Sequence, residues 1–160
     1  MLFRSIKQRS RLHWWLAEQD VHQADPAASA LLVNAEGLVT ETAAANFLAV
    51  RDGIVCTPPS DSVLGGISLL TVKELCMELA IPFEERRLTV NNCYSADECL
   101  LCSTPYCLSG VAQINGAAIP WPGPILTRLL RAWSEKVGVD IVAQILSRSE
   151  ERRVGKECRL

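Results

Sequence analysis

Two adjacent glycines stand directly ahead of an apolar helical repeat in Leu64-Gly65-Gly66-Ile67-Ser68. Glycine lets the backbone turn tightly, and a helix opening at Ile67 and Ser68 turns unpaired N–H groups and its positive dipole end toward whatever lies in front. Alone, the stretch fits either a phosphate seat or a plain turn before a helix. The other side chains able to ligate or react are seven cysteines and two histidines. Cys99-Leu100-Leu101-Cys102 has C-x-x-C spacing, but no second pair follows at zinc-site spacing. Cys93, Cys99, Cys102 and Cys107 lie in or beside an apolar run, where cysteine behaves as a small hydrophobe. They read as buried thiols, and His13 and His22 as ordinary helix residues.

The elements that must position such a seat follow from periodicity. Lys7 to about Gln23 has a helical pattern, with Leu12, Trp15, Leu16 and Val21 on one side, and Asp25-Pro26 ends it. Ala30 to Val33, a turn at Asn34-Ala35-Glu36-Gly37, and Leu38 to Thr42 form a hairpin. Phe47 to Val50 and Ile54 to Cys56 form another around Asp52-Gly53. From Ile67 to Leu79, Leu69, Val72, Leu75, Cys76 and Leu79 recur at helical spacing with Lys73, Glu74 and Glu78 outside. Strands are expected at Pro82 to Leu88, Glu98 to Ser103 and Gly110 to Ile114, the last turning at Asn115-Gly116 onto Ala117 to Ile119. A short turn or helix spans Val90 to Ser95, and a final helical region runs from Ile125 to Ile145, interrupted at Gly138. Hairpins mixed with helices, without strict β-α-β alternation, predict an α/β fold of mixed sheets wrapped by helices.

The chain has 160 residues, 49% of them hydrophobic, and a net charge of −2. That is enough for one core, and scattered basic residues argue against nucleic acid as a partner. No apolar run approaches the eighteen or so residues of a membrane span, and Met1 to Lys7 lacks the apolar stretch of a signal peptide, so a soluble, cytoplasmic chain is expected.

Several stretches together carry a resemblance. They are Glu36-Gly37-Leu38-Val39-Thr40-Glu41 with Thr42-Ala43-Ala44-Ala45-Asn46-Phe47, then Arg51-Asp52-Gly53, Thr57-Pro58-Pro59, Leu64 to Ser68, and Ala96-Asp97-Glu98. In this order, over about Lys7 to Val142, the chain resembles the second half of the class IV pyridoxal-phosphate-dependent aminotransferases, which include branched-chain and D-amino acid aminotransferases and aminodeoxychorismate lyase. The resemblance implies a barrel-like C-terminal domain of fold type IV with helices packed outside, and pyridoxal 5'-phosphate as cofactor. It implies Lys7 as the catalytic lysine that bonds the cofactor, a role that burial suits by weakening a lysine's hold on its proton. It also implies Glu41 as partner of the ring nitrogen, Leu64 packed on the ring, Ile67 and Ser68 as phosphate ligands, and Thr104 as a second phosphate ligand.

Departures from the family pattern are visible too. Ile67-Ser68-Leu69 stands where the family often has Ile-Thr-Arg, and Gly110-Val111 where Pro-Val is common. The expected reaction is transfer of an amino group between an amino acid and a 2-oxo acid, with a homodimer in the full-length parent. The alternatives are aminodeoxychorismate lyase activity, toward which Arg11 and Ala43 to Asn46 lean, and an inactive, non-catalytic fragment. The family's N-terminal domain is expected to be absent, leaving 1–147 as the cofactor-binding domain. Arg148 to Cys158 reads as the in-frame translation of a common sequencing-library adapter, so 148–160 is expected to be an artefactual, disordered tail.

Overall fold

The computed structural model describes residues 10–154, with side chains described for 10–147. In chain order the elements are α1 (Leu12–Ala24), β1 (Leu31–Val33), β2 (Val39–Thr42), β3 (Asn46–Arg51), β4 (Ile54–Thr57), α2 (Ile67–Glu78) and β5 (Phe83–Glu85). There follow α3 (Val90–Tyr94), β6 (Glu98–Ser103), β7 (Cys107–Gly110), β8 (Gln113–Ile114), β9 (Ala117–Ala118), α4 (Pro124–Val137) and α5 (Ile141–Val154).

Seven strands form one mixed sheet. β1 to β4 pair in sequence as antiparallel hairpins, β4 and β5 pair in parallel, and β6 lies antiparallel to both β3 and β7. Among the described residues β1, β5 and β7 each have a single strand neighbour, so the pairings establish a mixed sheet and not the expected closure into a barrel.

β3 and β6 are the centre, and they are buried on both faces. Alternate side chains point to opposite sides of a strand. Leu48 and Val50 of β3 join Leu100 and Cys102 of β6 beneath α2 and α4, in a cluster that includes Val72, Leu75, Leu126, Leu129 and Trp133. Phe47, Ala49 and Cys99 face the other way, with Val39, Leu88, Cys93 and Ile119. Burial on both faces explains why these strands read as unbroken apolar runs.

The helix over Ile67–Glu78 buries Val72, Leu75 and Cys76, the stripe its periodicity predicts. Gly138 closes α4 in the left-handed conformation, at a φ of 69°, and Asp140 accepts a hydrogen bond from the Ala143 N–H as α5 begins. Two elements differ from expectation. Gly110 to Ile114 is not one strand, because β7 ends at Gly110, whose backbone lies against the Trp121 ring, and β8 starts only at Gln113. The last helix continues past Ile145 to Val154, across Ser147-Arg148-Ser149-Glu150-Glu151-Arg152-Arg153, in which charged residues of good helix propensity predominate.

α1 forms, but none of its residues is buried: Leu12, Trp15 and Leu16 are all more than half exposed. No helix among the described residues is long and apolar enough to cross a membrane.

Candidate functional site

The chain reverses between β2 and β3 in a turn built on one hydroxyl. Thr42 Oγ1 accepts from the N–H groups of Ala44 and Ala45. The reversal sets Glu41 opposite Asn46, and directly paired residues share a face of the sheet. By the alternation along β3, that is the face on which Leu48 and Val50 meet α2 and α4.

The loop entering α2 comes to these two side chains. Glu41 Oε2 accepts from the Leu64 N–H at 3.2 Å and from Asn46 Nδ2 at 3.2 Å, and Asn46 Nδ2 also donates to the Leu64 carbonyl at 2.7 Å. Gly66 then passes so close to Asn46 that an added Cβ would lie 2.4 Å from Asn46 Oδ1. Burial raises the Glu41 carboxyl above its ordinary value of 4.5, while the Leu64 N–H pulls the other way.

One residue further on, α2 opens with no side-chain cap. Ser68 is buried in its first turn, and the Ser68 hydroxyl has no hydrogen-bond partner among the described residues, whereas Ile67 is 74% exposed. An uncapped first turn that also carries a hydroxyl with no partner among the described residues is a donor set suited to an oxyanion.

Thr104 sits just beyond β6 and is exposed. Its strand is carried to this end of the sheet by the pairing of Cys102 with Asn46 and by Ser103 Oγ, which donates to the Ala44 carbonyl at 2.6 Å. Arg11 Nη2 donates to the neighbouring Ala43 carbonyl. The fold thus bonds Glu41 and Asn46 directly to Leu64, in the loop that enters α2, and places Thr104 at the same end of the sheet. Lys7 lies outside the described residues. Cavities of about 390 and 740 Å³ are lined elsewhere, the first around Asn34, Glu36, Asp61 and Arg87, the second between Trp121, Leu126, Leu130 and Val142.

Two residues with clear work were not singled out from sequence. Asn46 is one, and its signal was an amide at the head of an otherwise apolar strand. Glu98 is the other: 2% exposed, it accepts from the Ile125 and Leu126 N–H groups at 2.7 and 2.9 Å and so caps α4. A lone charge in an apolar strand followed by Pro-Gly-Pro was the available sign. The C-x-x-C pair cannot converge on a metal, since Cys99 and Cys102 point to opposite faces of β6. Burial pushes both thiols up to about 12 and Cys93 up to about 11.

Residues 2–114 match the family described as Amino-transferase class IV. Branched-chain-amino-acid aminotransferase-like protein 1 of Arabidopsis thaliana is 36% identical over 120 residues, 72% of this chain and 22% of that protein. A D-alanine aminotransferase of Staphylococcus aureus is 35% identical over 101 residues, 61% of this chain and 36% of that one. The crystal structure of a branched-chain aminotransferase from Thermoproteus uzoniensis with norvaline superposes with a TM-score of 0.76 at 30% identity, covering 83% of this chain and 45% of that one. The chain belongs to the class IV aminotransferase family, and its fold is that of the fold type IV enzymes. It spans well under two thirds of the length of each of these relatives.

Proposed function

We propose that this chain is the cofactor-holding part of an aminotransferase that moves an amino group between an amino acid, of branched-chain or D-amino acid type, and a 2-oxo acid, with pyridoxal 5'-phosphate as its cofactor. The observation that carries this reading is the tie from the Glu41 carboxylate to Leu64, three residues ahead of an uncapped helix start that holds the Ser68 hydroxyl. These are the two functions the cofactor's opposite ends require: an anionic acceptor for the ring nitrogen and N–H and O–H donors for a phosphate.

When bound, pyridoxal phosphate supplies the electron sink for charge released at a substrate α-carbon. The chain's own residues do the rest. Glu41 holds the ring-nitrogen proton, a role for which burial in low-dielectric surroundings strengthens the charge pairing. The N–H groups of Ile67 and Ser68, with the Ser68 hydroxyl and Thr104, anchor the phosphate. Leu64 packs on the ring. Lys7 is the residue that would bond the cofactor and would then move a proton. The full-length parent is read as a cytoplasmic homodimer.

The test is uptake of pyridoxal phosphate by the purified chain, followed by visible absorbance, with borohydride fixation and mass spectrometry locating the modified lysine. Fixation at Lys7, and uptake about ten-fold weaker in Ser68→Ala, are expected; fixation at another lysine, or undiminished uptake, counts against the site. Aminodeoxychorismate lyase activity is the second reading, resting on Arg11 at the Ala43 carbonyl beside the Ala43 to Asn46 turn. Release of 4-aminobenzoate by the full-length parent, without transamination of branched-chain substrates, would favour it.

A further inference from the structure

Glu41 has two carboxylate oxygens, and the fold uses them unequally. Both of its hydrogen bonds, from Asn46 Nδ2 and from the Leu64 N–H, converge on Oε2. Oε1 has no hydrogen-bond partner among the described residues. Asn46 spends its second amide hydrogen on the Leu64 carbonyl. One buried side chain, 6% exposed, therefore links the acid on β2 to the Leu64 carbonyl, while the acid itself takes the Leu64 N–H. Its Oδ1 fills the space above Gly66, where a side chain would otherwise stand. The second glycine of Gly65-Gly66 is needed for this packing, whatever else approaches it.

The geometry points to Asn46 as a positioning residue: by tying Glu41 Oε2 to the Leu64 peptide, it turns Oε1 toward the cofactor's ring nitrogen and fixes the span from that oxygen to the helix start that seats the phosphate. This rests on the reading of Glu41 as the ring-nitrogen partner. A rigid ligand gripped at two ends needs those grips held at a set separation, because small misplacements of a supporting group are costly. The clamp supplies that separation with one amide, whose two hydrogens match the two acceptors before it.

Asn46→Asp tests the clamp without changing its shape. Protonated, the new carboxyl can still donate one hydrogen bond to Glu41. Ionised, it sets a second negative charge against Glu41 and the Leu64 carbonyl, so one proton is held by the pair above the ordinary carboxylate range. Cys102, paired with Asn46 on β6, has its thiol pushed up to about 12, and Arg11 is engaged by the Ala43 carbonyl. The urea midpoint of Asn46→Asp should therefore lie near that of the natural chain at about pH 4 and fall progressively behind it toward about pH 8.

Asn46→Ala removes the donor without adding charge, so its midpoint deficit should vary far less with pH, while the Glu41 side-chain carboxyl, followed by carbon-13 NMR, should titrate higher than in the natural chain. In the same variant, uptake of pyridoxal phosphate should weaken about ten-fold. A pH-independent deficit in Asn46→Asp, together with an unmoved Glu41 titration in Asn46→Ala, would make Asn46 a packing residue and overturn the inference. If the natural chain takes up no pyridoxal phosphate, the proposed function fails by itself, since the two cofactor-free measurements decide the clamp independently.

Discussion

Glu41 and Glu98 lie on the same face of one sheet, at opposite ends of it. Glu98 pairs with Val50 and Glu41 with Asn46, so about 13 Å of β3 separates their rows. Each carboxylate stands at the start of a helix. At Glu98 both oxygens are taken, one by the Ile125 N–H and one by the Leu126 N–H, and Gly123 runs so near that an added Cβ would lie 1.9 Å from the carboxyl carbon. At Glu41 one oxygen is taken and the other has no partner among the described residues, where the helix that follows also lacks a side-chain cap. The first site is closed upon itself, with an acid answering a helix dipole inside the protein. The second leaves both an acid and a helix start with unused bonding capacity, which is what a site for an external ligand requires.

The largest expected effect lies at the closed end. Glu98→Ala leaves two buried N–H groups unpaired and opens a cavity, and should cost about 3 kcal/mol in urea denaturation. Gly123→Ala should approach the same loss, since the added methyl would displace the buried Glu98 carboxyl from both of its hydrogen bonds. A cost below about 1 kcal/mol for Glu98→Ala would mean that water replaces the cap, and the contrast between the two ends would collapse.

At the open end the informative measurement is a coupling. Gly66→Ala pushes against Asn46 Oδ1 and should cost about 2 kcal/mol alone. In an Asn46→Ala background the obstacle is gone, so the same change should cost little, giving a coupling of about 1 kcal/mol or more. Additive costs would show that Gly66 is required for some reason other than Asn46. A bulkier residue at 66 also stands at the proposed phosphate seat, so phosphate binding is at stake as well as stability. The packing on Asn46 predicts that both fall together.

What could be read from the chain alone divides along the same line. Hairpins at Asn34 to Gly37 and Asp52-Gly53, and the buried stripe of α2, were legible because each is written in local spacing. The family motifs named Glu41, Leu64 and Ser68 because they occur in a recognisable order. The partners of those residues were not legible. Asn46 reaches Leu64 across eighteen residues, and Glu98 reaches Ile125 across twenty-seven. No periodicity encodes a bond between a strand and a distant loop. α1 shows the opposite case: its apolar residues fall on one side, yet Leu12, Trp15 and Leu16 are exposed, since periodicity records that a face is apolar and not what covers it.

The smallest expected effect is a pH dependence, and its sign follows from the burial of Glu41. Burial holds the Glu41 carboxyl above its ordinary 4.5, so the folded chain binds that proton more tightly than the unfolded chain does. The stabilisation this provides is fully present below the unfolded value and is lost as pH rises through the folded one. Replacing Glu41 by Gln removes the titration while keeping an acceptor for Leu64. The stability of Glu41→Gln relative to the natural chain should therefore increase as pH climbs from the ordinary carboxylate value toward neutrality, by a small amount because the group is only half buried. Bound pyridoxal phosphate should reverse the trend, because a protonated ring nitrogen facing Oε1 favours the ionised acid and draws its titration down. Urea midpoints of the two chains against pH, with and without the cofactor, test both halves. A difference that falls with pH in the absence of cofactor would mean that Glu41 is stabilised as a carboxylate by the protein itself, and the reading of this end as open to an external ligand would be lost.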